Sequence, residues 1–302
     1  MKKKKIMAVM TAAAMVISLV GCGSGKNTTE TNGGSTADSK EGDTATTTKS
    51  GYPIGESVQA IIDEGVLVVG TDSAYAPFAF IDTTTENKEP IGIDVEVAQA
   101  VADELGVELK LEPMQFKALL SSMSTGMVDI CIAAITPTDE RKEVADFSES
   151  YIQCEDKMMI KAERAEELGT LEDFYGKKIA AVTGSIQEKF AQDFITDVDL
   201  FSSPDIPTEI LELQAGNIDG IVIERSVGQQ YLAAYPELTY SDAVMEGSYA
   251  KTYAVAMNKG SDDLKVVIDG VIEKLVNEGK IEEWLSEYSE IAAKMVEANT
   301  EK

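Results

Sequence analysis

The chain contains the same structural pattern twice, and this repeat constrains its fold more than any other feature. Apolar residues at helical spacing, a Gly-x-(Val/Ile)-Asp turn and a second apolar run follow one another in 118–135 and again in 210–223. Each copy predicts a helix that ends at a glycine, then a turn, then a buried strand. Another strand-like apolar run precedes each copy, at 67–72 and at 178–185. Two such copies predict an α/β protein of two lobes with largely parallel sheets.

Composition excludes several classes of function. The 302 residues carry a net charge of −27, which argues against nucleic acid as a partner and against attraction to anionic lipid. The chain has no histidine, so histidine-dependent catalytic triads and histidine-ligated metals are excluded. Besides Cys22 only Cys131 and Cys154 occur, too few for a zinc site, and we expect neither a metal nor a cofactor. Cys131 lies in an apolar run that favours a buried thiol, although a disulfide with Cys154 is allowed outside the cell.

The amino terminus has the features of a secretory signal peptide, which we place at residues 1–21. Four lysines at 2–5 precede fifteen uncharged residues, 6–20, and the segment ends in Leu19-Val20-Gly21-Cys22. A basic start, a short apolar segment and small residues before a cleavage point are typical of such peptides. The cysteine after Leu-x-Gly resembles the bacterial lipoprotein box, in which that cysteine receives a lipid. An ordinary secretory peptide with an incidental cysteine at Cys22 is the alternative.

Residues 22–51 predict a lipidated, flexible tether. They are almost entirely glycine, serine, threonine, asparagine and charged residues. Such a segment cannot bury enough apolar surface to offset the entropy that it would lose on ordering. A flexible chain of this length spans roughly 30 Å on average.

Polar residues stand directly after two of the predicted strands, where ligands of open α/β sheets bind. Asp72 and Tyr75 follow the first strand and offer a carboxylate and an aromatic face. Glu224 ends a later strand, and its carboxylate is suited to an ammonium group. A turn with a local aspartate cap, and a charged residue leaving the core, are the alternatives.

Two further loops predict helix starts after strands. Thr136 followed by Pro137 predicts an N-cap, and Arg141, one turn later, is able to hold a carboxylate through two hydrogen bonds. Ser185, with a glutamate three residues later, predicts a capping box. A solvated surface arginine and an ordinary helix start are the alternatives.

These loops, in this order, resemble the polar-amino-acid-binding family of periplasmic-type solute receptors that serve ABC importers. The resemblance covers about residues 65–288 and is carried by the segments GTDSAYAPF (70–78), IGIDVE (91–96), ITPTDER (135–141) and DFS (146–148). It implies an α/β, two-lobed, periplasmic-binding-protein-like (type II) fold whose lobes close on the ligand.

The resemblance also implies that the chain crosses twice between the lobes. Lobe one would then comprise residues 52–153 and 252–302, and lobe two would comprise residues 154–251.

The resemblance implies ten ligand-binding residues, which supply charged clamps, aromatic surfaces and backbone groups: Asp72, Tyr75, Phe116, Ala133, Ala134, Thr136, Arg141, Ser185, Gln187 and Glu224. Arg141, helped by Thr136 and Ser185, would hold the α-carboxylate of the ligand. Many members carry aspartate at the position of Glu224, which binds the α-ammonium group; glutamate keeps the charge but adds a methylene. Asp72 would reach the far end of the ligand's side chain.

The function implied is that of a receptor and not of an enzyme. A monomer, anchored through Cys22 to the outer face of a Gram-positive-type cell membrane, would capture an amino acid and deliver it to an ABC permease with its ATPase. Two carboxylates facing one arginine favour a cationic ligand such as arginine or lysine, although an aspartate also binds an amide, as glutamine would require. A dehydratase-type enzyme on the same fold and a module that presents its ligand to a sensory partner are the alternatives.

Overall fold

The computed structural model describes residues 47–86, 88–249 and 252–300. In chain order the helices of these residues are α1 (Glu56–Glu64), α2 (Ile93–Leu105), α3 (Leu119–Ser124), α4 (Asp139–Val144), α5 (Ile186–Phe194), α6 (Ile206–Ala215), α7 (Arg225–Ala234), α8 (Asp262–Asn277) and α9 (Lys280–Thr300). The strands are β1 (Val66–Thr71), β2 (Ala74–Tyr75), β3 (Ala79–Phe80), β4 (Glu108–Pro113), β5 (Ile130–Ile135), β6 (Ala145–Gln153), β7 (Asp156–Lys161), β8 (Lys178–Val182), β9 (Asp199–Ser203), β10 (Gly220–Glu224), β11 (Leu238–Tyr240) and β12 (Thr252–Asn258). Within these ranges no helix is long and apolar enough to cross a membrane. The predicted signal peptide, Cys22 and the tether up to residue 46 lie outside the described residues.

Two five-stranded sheets form the centres of two α/β lobes. Their strand orders are β4-β1-β5-β12-β6 and β11-β7-β10-β8-β9. In the first sheet β1 runs parallel to β4 and β5, and in the second sheet β8 runs parallel to β9 and β10. An antiparallel strand completes each arrangement, β12 in the first sheet and β7 in the second. The parallel strands β1, β5, β8 and β10 are apolar and buried along most of their length, as the repeated sequence pattern predicts, whereas the edge strands β4 and β9 are more exposed.

The chain passes between the two sheets twice. β6 ends at Gln153 in the first sheet, and β7 begins at Asp156 in the second. The chain returns between the end of β11 at Tyr240 and the start of β12 at Thr252. Because β6 and β12 pair with each other, both connections leave the first sheet side by side. Paired connections of this kind suit hinge motion between two lobes.

The aspartate of each sequence repeat fixes the start of a neighbouring strand. Asp129 accepts a hydrogen bond from the Val68 amide at 2.8 Å and donates its own amide to the Val68 carbonyl at 2.8 Å. Asp219 makes the same pair of bonds with Lys178 in the second lobe, at 2.8 and 2.7 Å. The repeat therefore aligns adjacent parallel strands in each lobe, and the carboxyl ends of these strands reach the cleft.

A glycine brings the loop after β1 against the start of α2. Gly92 has a φ of 131°, and a Cβ on it would lie 2.2 Å from the Phe78 carbonyl oxygen. That oxygen accepts a hydrogen bond from the Asp94 amide at 2.9 Å. Any larger residue at position 92 would displace the loop, so this close approach holds the segment that carries Tyr75 in place.

Residues 47–51, which the sequence assigns to the end of the tether, lie against α2. The Thr48 and Ser50 hydroxyls donate to the Glu104 carboxylate at 2.6 and 2.7 Å, and the Ser50 amide also donates to it at 2.7 Å. Tyr52 packs partly buried against the core, above Gly270, where a Cβ would lie 2.1 Å from the tyrosine hydroxyl. These hydrogen bonds join Thr48 and Ser50 to the folded body.

Candidate ligand-binding site

A cavity lies between the two lobes at the carboxyl ends of β1, β5, β8 and β10. It encloses about 450 Å³ of space, its mouth included. The structure brings eight of the ten predicted residues together in its wall: Asp72, Tyr75, Phe116, Ala133, Ala134, Arg141, Ser185 and Gln187. Residues that the sequence did not single out complete the wall: Val182, Ile186, Ile206, Val222, Ile223 and Tyr253. The two other predicted residues, Thr136 and Glu224, are not part of this wall.

Direct hydrogen bonds join the lobes beside the cavity. Arg141, on α4, donates from Nη2 to the Gly184 carbonyl at 3.1 Å. Gln230, on α7, donates to the Ala76 carbonyl at 2.7 Å. The structure therefore shows the lobes in contact across the cleft.

Arg141 brings a positive charge into the wall without a counter-ion. Its Nη1 donates to the Thr136 carbonyl at 2.9 Å, and its guanidinium carbon lies 5.1 Å from the centre of the Phe116 ring. Burial lowers the pKa of Arg141 to about 10, so the side chain keeps its charge at neutral pH. Arg164 and Arg225, the other two arginines, form ion pairs, whereas no described carboxylate lies within ion-pair distance of Arg141. A desolvated cation without a partner is unfavourable, so this part of the wall favours an anion.

The helix that carries Arg141 begins later than predicted. The N-cap of α4 is Thr138, whose hydroxyl oxygen accepts a hydrogen bond from the Arg141 amide at 3.2 Å. The prediction of Thr136 as the N-cap is wrong, because the Thr-Pro-Thr sequence offers two capping residues and Thr136 is buried ahead of the helix. Thr136 borders a neighbouring groove, and its hydroxyl has no hydrogen-bond partner among the described residues.

Asp72 brings a negative charge into the wall, again without a counter-ion. It is 9% exposed and accepts a hydrogen bond from the Ala74 amide at 3.1 Å. Burial raises the pKa of Asp72 to about 6; the Ala74 bond opposes this rise and the nearby Asp205 adds to it. Within the described residues no lysine or arginine pairs with Asp72, and this part of the wall favours a cation.

Asp94 holds the backbone of Ala134 in the cavity wall. The φ of Ala134, 48°, is in the left-handed region, which alanine rarely adopts. The Ala134 amide donates to the Asp94 carboxylate at 2.8 Å, and the Tyr151 hydroxyl donates to the same carboxylate at 2.7 Å. Burial raises the pKa of Asp94 to about 6. Asp94 therefore fixes the position of this backbone, and the contact of an Ala134 backbone group with a ligand stays a prediction.

Two residues of the second lobe line the cavity at the start of α5. Ser185 caps this helix, as predicted, and accepts a hydrogen bond from the Glu188 amide at 3.0 Å. The Gln187 side-chain amide donates to Asp156 at 2.8 Å, and Asp156 also accepts from the Ser248 hydroxyl at 2.6 Å. Asp156 is a supporting residue that the sequence analysis missed. Its one sequence signal was a charged residue at the edge of an apolar strand.

Glu224 caps α7 and does not line the central cavity. Its Oε2 accepts hydrogen bonds from the Ser226 hydroxyl and from the Val227 amide, the latter at 3.0 Å. It borders a neighbouring cavity at the hinge together with Cys154. Burial raises the pKa of Glu224, and its charge adds to the effect of burial in raising the pKa of Tyr75. Glu224 thus lies near the cavity wall, and its contact with an ammonium group stays a prediction.

Cys131 is a buried thiol in β5 and is not joined to Cys154. Its Sγ donates to the Leu119 carbonyl at 3.3 Å, and burial raises the pKa of the thiol to about 12. Among the described residues no group of three or more acidic or cysteine side chains is arranged to hold a metal ion.

Comparison with known proteins identifies the family. Residues 67–290 match the family described as bacterial extracellular solute-binding proteins, family 3. The chain belongs to this family. The match covers most of the described residues, including both lobes and the whole cavity wall.

Two solved structures and one sequence relative show what this chain is similar to. The L-arginine-bound amino acid ABC transporter substrate-binding protein AbpA of Streptococcus pneumoniae is similar, with a TM-score of 0.75 and 34% identity over 78% of this chain and 99% of that chain. The ancestral amino acid-binding protein AncCDT-1, a precursor of cyclohexadienyl dehydratase, gives 0.70 and 25% over 77% of this chain and 99% of that chain. L-cystine-binding protein TcyJ of Escherichia coli K12 is 29% identical over 238 residues, 76% of this chain and 87% of its own length. The predicted two-lobed, periplasmic-binding-protein-like (type II) fold is confirmed.

Proposed function

We propose that this solute-binding protein captures an α-amino acid with a cationic side chain, of the arginine or lysine type, for an ABC importer. The observation that carries the proposal is the pair of buried, unpaired charges on Arg141 and Asp72 in one cavity wall. A cationic amino acid would supply a carboxylate to Arg141 and a positive group to Asp72, so that one ligand compensates both charges. The arginine-bound relative AbpA supports this assignment.

The ligand's α-ammonium group is assigned to Glu224. This carboxylate lies close enough to Tyr75 to raise that residue's pKa, and Tyr75 lines the cavity. The Ser226 hydroxyl and the Val227 amide both donate to Oε2 of Glu224. A small rearrangement of the hinge side of the wall would bring the carboxylate to the ligand.

Ligand binding would work by closure of two lobes, residues 52–153 with 252–302 and residues 154–251. Arg141 and Asp72 come from the first lobe, whereas Ser185 and Gln187 come from the second. A ligand that contacts both sets stabilises the closed form relative to the open form. The closed form, with its amino acid, would then be the form that the permease and its ATPase receive.

The same proposal places the protein, as a monomer, on the outer face of the cell membrane through a lipid on Cys22. The basic start, the apolar segment 6–20 and the Leu-x-Gly-Cys sequence support it, as does the extracellular character of the family. Cys22→Ala should release the protein into the medium and reduce uptake, while the purified protein keeps its affinity. Retention of the variant on the cells would contradict the anchor.

A panel of the twenty amino acids tests the ligand class. We expect L-arginine and L-lysine to raise the melting temperature of the purified mature protein most, in proportion to occupancy, and calorimetry to give saturable binding. Failure of every amino acid to bind would overturn the proposal. Turnover of prephenate or arogenate would instead support the dehydratase alternative.

A further inference from the structure

The hydroxyl group of Tyr253 is a buried polar atom of the cavity wall that has no partner. The residue is 1% exposed, and its oxygen makes no hydrogen bond within the described part of the chain. Its ring is held edge-on to Phe78 at 5.1 Å, and its backbone pairs with Ile152 in β6. A buried hydroxyl without a partner costs free energy and is rare in folded proteins. A group that enters the cavity would remove this cost.

The surroundings of the hydroxyl indicate which group that is. Tyr253 influences the pKa of Arg141, so the two side chains are near each other. It also influences the pKa of Tyr75, although the two hydroxyls do not form a hydrogen bond of normal geometry. Burial raises the pKa of Tyr253, and the charges of Tyr75, Glu224 and Asp156 add to that rise. The hydroxyl therefore lies near both Arg141 and Glu224, to which the proposed function assigns the carboxylate and the ammonium group of the same α-carbon.

We propose that the Tyr253 hydroxyl donates a hydrogen bond to the α-carboxylate of the bound amino acid, beside Arg141. The inference rests on the proposed function, because it requires an α-amino acid in this cavity. A carboxylate only accepts hydrogen bonds, and the phenol O–H is a donor without an acceptor. The bond would be charge-assisted and therefore stronger than a bond between neutral groups.

The position of Tyr253 in the chain gives this contact a second consequence. Tyr253 is the second residue of β12, immediately after the chain has returned from the second lobe. Its neighbour in the sheet, Ile152, immediately precedes Gln153, the end of β6 before the outward crossing. A ligand bond at Tyr253 therefore ties the α-carboxylate to both connections of the hinge, and occupancy of the cavity would restrain the hinge directly.

The test compares Tyr253→Phe with the parent and with Tyr231→Phe in the mature protein. Tyr231 is a buried tyrosine of α7 outside the cavity wall, so its variant removes a hydroxyl without removing a ligand contact. Calorimetry is run with L-arginine, with 5-guanidinopentanoic acid, which lacks the amino group, and with agmatine, which lacks the carboxylate. We expect Tyr253→Phe to weaken L-arginine and 5-guanidinopentanoic acid by about tenfold to a hundredfold, and to leave agmatine unchanged. Tyr231→Phe should leave all three affinities unchanged.

A thermal melt without ligand separates this role from a structural one. Removal of an unpaired buried hydroxyl should not lower the melting temperature of the ligand-free Tyr253→Phe protein. A normal melt with unchanged affinity for L-arginine would overturn the inference, as would an equal loss for agmatine. A parent protein that binds none of the three compounds would overturn the proposed function and this inference with it.

Discussion

Arg141 and Asp72 place opposite charges in one cavity wall, but the fold supports the two charges differently. The Arg141 guanidinium donates to carbonyls of both lobes and stacks on Phe116, and its pKa of about 10 keeps it charged. Asp72 accepts a local bond from the Ala74 amide and has a pKa of about 6. In the proposed function the arginine side is therefore a fixed anion site, which the carboxylate of any α-amino acid would satisfy. The aspartate side would respond to pH and to the charge of the ligand, and would therefore decide which amino acid binds.

Removal of the arginine side should have the largest effect. Arg141→Ala should weaken L-arginine by at least a hundredfold, because it leaves the ligand carboxylate buried without its charged partner. The affinity of Arg141→Lys for L-arginine should lie between those of Arg141→Ala and the parent, because lysine keeps the charge but lacks the planar guanidinium group. Arg225→Ala, which removes an exposed ion pair with Glu155, is the matched control and should bind as the parent does. Calorimetric affinities of Arg141→Ala within threefold of the parent would show that the carboxylate clamp lies elsewhere.

Neutralisation of the aspartate side should stabilise the empty protein while it impairs binding. The pKa of Asp72 is about 6 in the folded protein against an ordinary value of 3.8, so between these pH values the folded state binds more protons than the unfolded state. The free energy of unfolding therefore falls as pH rises from about 4 to about 6. Above that range it is lowered by the full cost of burying the ionised Asp72 carboxylate. Asp72→Asn should raise the free energy of unfolding at pH 7.5 by up to about 3 kcal/mol, and by almost nothing below pH 4.

Denaturant unfolding without ligand at pH 4 and at pH 7.5 measures this difference. Glu172→Gln, at an exposed position of the second lobe, is the control and should change neither value. A gain in Asp72→Asn that is the same at both pH values would contradict the assignment of the penalty to the carboxylate charge.

Removal of the Glu224 charge, at the hinge, should have a smaller effect on ligand affinity. Glu224→Gln keeps an acceptor for the cap of α7 but removes the charge. We expect a loss of about tenfold for L-arginine, because one charge-assisted bond to the ammonium group is weakened. 5-Guanidinopentanoic acid, which has no ammonium group, should bind the variant and the parent equally well in calorimetry. Equal losses for both compounds would mean that Glu224 acts only through the helix cap.

The architecture could be predicted from sequence because its signals are local. Buried parallel strands appear as apolar runs, and a glycine with a left-handed backbone closely follows the helix before each turn, as at Gly126 and Gly216. Asp129 and Asp219 recur because each bonds the same way to the strand beside it. The order of these elements was therefore recoverable without any tertiary information.

The side-chain roles that could not be predicted from the sequence depend on contacts between residues far apart in the chain. Thr136 and Thr138 have equal capping chemistry, and only the burial of Thr136 decides between them. In the sequence Tyr253 looks like one more apolar residue of a strand. Its position in the cavity wall and its lack of a hydrogen-bond partner among the described residues follow only from the tertiary structure. Whether Glu224 caps a helix or faces a ligand likewise depends on a side-chain position that sequence does not encode locally.

The most direct test of the account compares L-arginine with L-citrulline by calorimetry on the purified mature protein at pH 7.5. Citrulline has nearly the same shape but a neutral side chain, so both ligands satisfy Arg141 and only arginine compensates Asp72. The account predicts at least tenfold tighter binding of L-arginine, and loss of that preference in Asp72→Asn. Equal or tighter binding of L-citrulline to the parent would contradict the claim that the cavity selects a cationic side chain.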